Sequence, residues 1–200
     1  MRNLICTFLI SIAFAGQAQK SPVKYGDIPM DDMKMTLYDK DSSAAAVFLV
    51  NYGKAYIEIV VDDPVLTYER HVRIKILKKD GLSWADASIL LYHTTSSDEK
   101  VTTMKASTYN LENGAMVETK LSKEGIFKEK YNRNYNKQKF TLPNVKVGSV
   151  IEYTYTVKSD FYTSFPNWQF QKDIPVRWSE YWAIFPEVFK YEKFGRLPDV

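Results

Sequence analysis

Several chemistries are removed by what the chain has little of. It has one cysteine, Cys6, and two histidines, His71 and His93, in 200 residues. Cys6 lies in an N-terminal apolar stretch with the marks of a cleaved leader, so the mature chain is expected to have no thiol, no disulfide and no thiolate metal ligand. A serine hydrolase needs a base, and with two histidines and no Gly-x-Ser-x-Gly turn none is legible. The glycines are scattered singly, which excludes a phosphate-cradling loop. No His-x-His or His-x-x-x-His pair is present, and the acidic clusters lack the calcium-loop pattern. Asp62-Asp63-Pro64 reads as a turn before a strand in preference to a weak Ca²⁺ site. No catalytic residue, metal site or cofactor is expected in this chain.

The N-terminus carries one positive residue, Arg2, then an apolar run from Leu4 to Phe14, then Ala15-Gly16-Gln17-Ala18. This is the pattern of a secretory signal peptide cleaved after Ala18, with Gly16 and Ala18 at the small-residue positions. The run is shorter than the roughly 20 apolar residues that span a bilayer. Cys6 sits too early for a lipid-modified cleavage site. The expectation is an exported protein, periplasmic or secreted, with outer-membrane association left open and no transmembrane anchor after cleavage. The net charge of +3 drops by one when Arg2 leaves with the leader. That near-balance implies no general attraction to nucleic acid.

Residues 19–31 read as an irregular lead-in punctuated by Pro22, Gly26 and Pro29. Asp31-Asp32 before Met33 predicts a short helical turn with an aspartate cap. From there the chain alternates in short strand-like runs. Val47–Val50 and Ala55–Val61 are predicted strands joined by a hairpin turn at Asn51-Tyr52-Gly53-Lys54. Tyr68–Ile76 places Tyr68, Val72, Ile74 and Ile76 on an apolar face and Glu69, His71, Arg73 and Lys75 on a polar, solvated one. Arg70 is the exception on the apolar side and is placed near the strand end. Both His71 and His93 therefore read as solvated surface histidines. Lys79-Asp80-Gly81 is turn chemistry, and Ser88–Tyr92 is a further strand. Lys100–Leu111 and Ala115–Leu121 flank Glu112-Asn113-Gly114, a strong hairpin signal. Val150–Lys158 alternates most regularly, with Ile151, Tyr153, Tyr155 and Val157 on one side. Turn signals every 8–12 residues predict a mainly β, antiparallel sandwich-like domain with few short helical turns over residues 32–200.

Two binding features stand out. Lys120 to Lys139 holds seven basic residues against Glu124 and Glu129, with Tyr131 and Tyr135 among them. In an exported protein this suits anionic glycans or lipid head groups, against the simpler reading of a solvated loop or lysine-protected edge strand. The C-terminal stretch gathers Trp168, Trp178, Tyr181 and Trp182. Such a group stacks sugars, grips a peptide, or packs against a neighbouring domain. The chain stops at Pro198-Asp199-Val200 without a polar tail, as an interrupted longer protein would.

Three segments resemble the domain-of-unknown-function family 3857. They are Asp32-Met33-Lys34-Met35 with the Asp39–Val47 stretch after it, the Arg73-Ile74-Lys75-Ile76-Leu77 strand leading to Gly81, and, most specifically, Leu142-Pro143-Asn144-Val145-Lys146-Val147-Gly148-Ser149-Val150-Ile151-Glu152-Tyr153. The resemblance implies an exported protein of the kind common in Bacteroidetes. In such proteins this β-rich domain precedes a transglutaminase-like domain bearing a Cys-His-Asp triad. No part of that triad can be placed in this chain. The expected function is thus a non-catalytic accessory domain that packs against a downstream transglutaminase-like domain of the same polypeptide or presents substrate to it. The alternative is an independent glycan- or peptide-binding module.

Overall fold

The computed structural model describes residues 22–61 and 63–187. The predicted leader, Cys6 and the terminal Pro198 lie outside them. A five-residue helix α1 (Met30–Lys34) precedes nine strands: β1 (Ala46–Val60), β2 (Asp63–Ile76), β3 (Asp86–Tyr92), β4 (Glu99–Glu112), β5 (Ala115–Lys120), β6 (Ile126–Lys130), β7 (Tyr135–Thr141), β8 (Val150–Ser159) and β9 (Ser179–Ile184). Six strands form one sheet in the order β5-β4-β8-β2-β1-β9, and three form a second in the order β3-β7-β6. Neighbours run antiparallel except β1 and β9, which are parallel. The mainly β, sandwich-like architecture is the one the sequence predicts.

Apolar positions of period two dictate where the sheets meet. Phe48 of β1, Val72, Ile74 and Ile76 of β2 and Ile151 and Val157 of β8 pack with Ile89 and Leu91 of β3 and Phe140 of β7. Each such side chain contributes roughly 1.5–3 kcal/mol when fully buried. Tyr153 meets Phe140 edge-on at 5.3 Å, and Phe48 meets Trp84 in the same manner at 5.1 Å. Trp84 belongs to a 3-10 turn (Lys79–Ala85) that packs tightly: a Cβ on Gly81 would sit 2.3 Å from the Ala45 carbonyl oxygen. That oxygen already accepts the Leu77 and Lys78 N–H groups. The hairpin at Asn113-Gly114 forms as predicted, both residues having positive φ (51° and 82°), the geometry of a type I′ turn.

Three expectations are corrected. The turn predicted at Asn51-Tyr52-Gly53-Lys54 does not exist: β1 runs straight through it, and the chain reverses between Val60 and Asp63, which pair directly. Turn-forming residues are used there for packing instead, as the site geometry below shows. The cap position of α1 is Pro29, with no side-chain cap. Asp32 is instead buried, 4 % exposed, inside the helix. Lastly, the polar side of β2 is not solvated. His71, Arg73 and Lys75 are 4 %, 3 % and 0 % exposed, because the segment from Lys24 to Tyr38 lies across that side of the large sheet as a strap.

Candidate functional site

Beneath the strap lies a buried polar cluster. The register sets Arg73 directly beside Glu152 and His71 one rung along, beside Thr154. Glu152 Oε1 accepts hydrogen bonds from Arg73 Nε (3.0 Å) and Nη2 (2.7 Å) and lies 2.7 Å from His71 Nε2. Its Oε2 accepts the Gly26 N–H at 2.8 Å, and Arg73 Nη2 donates to the Lys24 carbonyl at 3.1 Å. The strap is thus bonded to the cluster through its backbone. Tyr25 adds a side-chain link by donating to Ser107 Oγ (2.8 Å), which in turn donates to Glu118 (2.7 Å). Burial raises the Tyr25 phenol above its ordinary pKa. Further along, Lys75 Nζ donates to the Met33 and Gly148 carbonyls, both at 2.6 Å. Burial pushes its ammonium down to about 8, with Asp32 acting in the opposite sense. Arg177 clasps Asp32 through two bonds, Nη1 to Oδ1 at 2.6 Å and Nη2 to Oδ2 at 2.8 Å. A His–Glu pair in an open cleft would suggest proton transfer. Here both side chains are sealed from solvent, so the arrangement fixes the strap.

The aromatic group predicted near the C-terminal end is divided between two faces. β9 pairs in parallel with β1 so that Ser179 and Tyr181 lie beside Asn51 and Gly53, whereas Glu180 and Trp182 lie beside Tyr52 and Lys54. Trp168 joins the first set. Its ring lies parallel to Tyr181 at 5.0 Å, the Arg70 guanidinium lies 4.3 Å from the ring centroid, and its Nε1 donates to Ser179 Oγ at 3.2 Å. Arg70, predicted near a strand end, is mid-strand and bonds to the Tyr52 carbonyl and the Asn51 side chain. Asn51 Nδ2 completes the ring of contacts by donating to Ser179 Oγ at 2.8 Å. Trp178 belongs to the other face, stacked on Tyr52 at 6.1 Å, and Trp182 Nε1 donates to Glu180. All four predicted aromatics are half-buried. Burial pushes the Tyr181 phenol up to about 12, aided by Tyr68.

Trp168 rests on the backbone of Gly53, where an added Cβ would lie 2.4 Å from the ring. Gly53→Ala is therefore expected to displace the indole from Arg70 and Tyr181 and to cost about 1–3 kcal/mol. The tryptophan emission of the folded protein should shift to the red, and an unchanged spectrum with unchanged stability would contradict this packing.

Of the residues singled out from the sequence, His71 belongs to the sealed cluster and not to the surface. His93 is half-buried beside the Asp98 bridge, its Nε2 buried and, among the described residues, without a hydrogen-bond partner. Lys120 ends β5 and Lys123 opens a short 3-10 turn, and the rest of the basic stretch folds as the β6–β7 hairpin, with Lys139 paired to Glu129 at 2.8 Å and Lys137 Nζ 3.8 Å from the Tyr131 ring centroid. Glu152, Asp32, Arg177 and Tyr25 were not legible as a group. Their partners lie 79 to 145 residues apart, and no local pattern joins them. Among the described residues no group of three or more His, Cys, Asp or Glu is placed to hold a metal ion. No described helix is long and apolar enough to cross a membrane.

These features define a two-sheet β domain whose outer face is closed by its own N-terminal strap. The model of a family described as a domain of unknown function with solved structure, DUF3857, matches residues 63–197, and the chain belongs to that family. No curated protein matches the chain. Among solved structures, the chain is similar to a "putative protease" from Parabacteroides distasonis ATCC 8503, at 10% identity and a TM-score of 0.46. The similarity covers 57% of this chain and 23% of that one, so the chain matches less than a quarter of that structure's length.

Proposed function

We propose that this chain is a non-catalytic, exported accessory domain that docks against a transglutaminase-like domain of the same polypeptide through the region around β9. The observation that supports it is exposed apolar side chains in and beside β9. Phe170, Ile184 and Phe185 are 55 %, 43 % and 40 % exposed, beside a strand that is the last of its sheet among the described residues. Exposed apolar groups beside an open strand edge suit a protein contact surface. The Cys-His-Asp chemistry then belongs to the partner, and this domain positions it or its substrate.

The test begins with the reading frame downstream of Val200. A frame that continues with cysteine, histidine and aspartate in transglutaminase-like order allows two products to be compared by amide hydrogen exchange: the longer one and the chain ending at Val200. Slower exchange across residues 165–185 in the longer product is the expected result. A stop codon at that point, or identical exchange in both, would overturn the proposal. The glycan- or peptide-binding alternative is favoured by one observation, that Trp178 and Trp182 are half-buried on the strap side of the sheet, opposite the Trp168 cluster, and so keep part of their surface open. It would show as glycan-array or peptide binding lost on Trp182→Ala.

A further inference from the structure

The opposite end of the large sheet is incomplete in a different way. β5 pairs with β4 only along Ser107–Glu112. After Leu121 donates its N–H to the Ala106 carbonyl, the chain crosses to the small sheet and becomes β6. Residues 99–105 of β4 therefore have β8 on one side and, among the described residues, no strand on the other. Among the described residues β6 is likewise the outer strand of its sheet, paired only with β7.

Two grooves flank the uncovered length of β4. One, of about 520 Å³, runs between Asp98–Val101 and Lys128–Lys130. The other, of about 490 Å³, lies between Met104–Ser107 and Glu118–Leu121. Of the acidic side chains of the walls, Asp98, Glu118 and Glu129 each have a lysine partner, and the Glu99 charge is met by hydrogen bonds from neutral groups. Asp98 pairs with Lys100 at 2.8 Å, Glu99 accepts from Ser159 Oγ and the Tyr92 N–H, Glu118 accepts from Ser107, and Glu129 pairs with Lys139. Lys105, Lys128 and Lys130 are exposed and, among the described residues, take part in no ion pair. The walls together hold six lysines against four carboxylates and so present net positive charge along this strand edge.

A free edge offers N–H and C=O groups at strand spacing, which an extended peptide can match and a polysaccharide cannot. Seven residues of added strand would span roughly 24 Å at about 3.4 Å per residue. We propose that the uncovered half of β4 receives an extended acidic segment of a partner protein as an added strand, with Lys105, Lys128 and Lys130 pairing its carboxylates. This site is at the far edge of the sheet from β9 and does not depend on the accessory-domain reading.

The probe is a fluorescein-labelled heptapeptide of alternating Glu and Val, titrated into the chain and followed by anisotropy and hydrogen exchange. Binding should weaken as salt rises, and alternate amides within residues 99–105 should exchange more slowly in the complex. The double variant Lys128→Glu, Lys130→Glu changes two exposed side chains. It should weaken binding at least tenfold while melting at the parent temperature. Methylating alternate backbone nitrogens of the peptide should abolish binding. Three results would each overturn the proposal: no binding, undiminished binding of the methylated peptide, or heparin binding at the same lysines with no change in β4 exchange.

Discussion

Glu152→Ala is expected to cost about 3–5 kcal/mol, the usual loss when one partner of a buried ion pair is removed. The alanine leaves Arg73 and His71 buried with their shared acceptor gone, and it frees the Gly26 N–H that ties down the strap. A domain of this size is stable by roughly 5–15 kcal/mol, so the variant should unfold at markedly lower urea concentration. Glu152→Gln, which keeps an acceptor, should lose less. A loss below about 1 kcal/mol for the alanine variant would mean that the cluster contributes little. Acid provides a second handle. Burial alone would raise the Glu152 carboxyl, but the His71 hydrogen bond, the Arg73 charge and the Gly26 N–H outweigh it and hold the group below its ordinary value of 4.5. The native state therefore binds this proton less tightly than the unfolded chain does. The resulting stability is complete above about 4.5 and is lost as pH falls through the lower native value. That part of the acid sensitivity should be missing from Glu152→Gln.

Arg177→Ala is expected to be the next most damaging change, at about 2–3 kcal/mol. It removes two charge-assisted bonds and strands the buried Asp32 carboxylate. The guanidinium is partly exposed, 38 % against 5 % for its partner, so solvent screening keeps the effect below that of Glu152. The damage should be local: hydrogen exchange should accelerate first across residues 24–38, with the sandwich interior following only at global unfolding. Uniform acceleration would contradict the clasp. Asp32→Asn should recover part of the loss, since it removes the stranded charge.

The alternation of β2, β8 and the β4–β5 hairpin was legible because period two and an Asn-Gly turn are local signals. What covers each face was not. Glu69, His71, Arg73 and Lys75 alternate as any solvated strand face would, and only the strap, supplied by residues far away in sequence, makes three of them interior. The same limit explains the lost hairpin in β1. Asn51 and Gly53 are turn residues by composition, yet one bonds Ser179 and the other makes room for Trp168. Both demands come from the far end of the chain. The C-terminal aromatics were visible as a group, but their division between two faces depends on a parallel pairing of β9 with β1 that no spacing announces.

The clasp between Asp32 and Arg177 has a consequence in time. A chain made or threaded from its N-terminus presents the strap early, but Glu152 and Arg177 arrive more than a hundred residues later. Until then the strap has its contacts with β1 and β2, among them the Arg73 and Lys75 bonds, and lacks the Glu152 and Arg177 bonds that complete its closure. Closure of the strap is therefore completed late, when β8 and Arg177 have emerged.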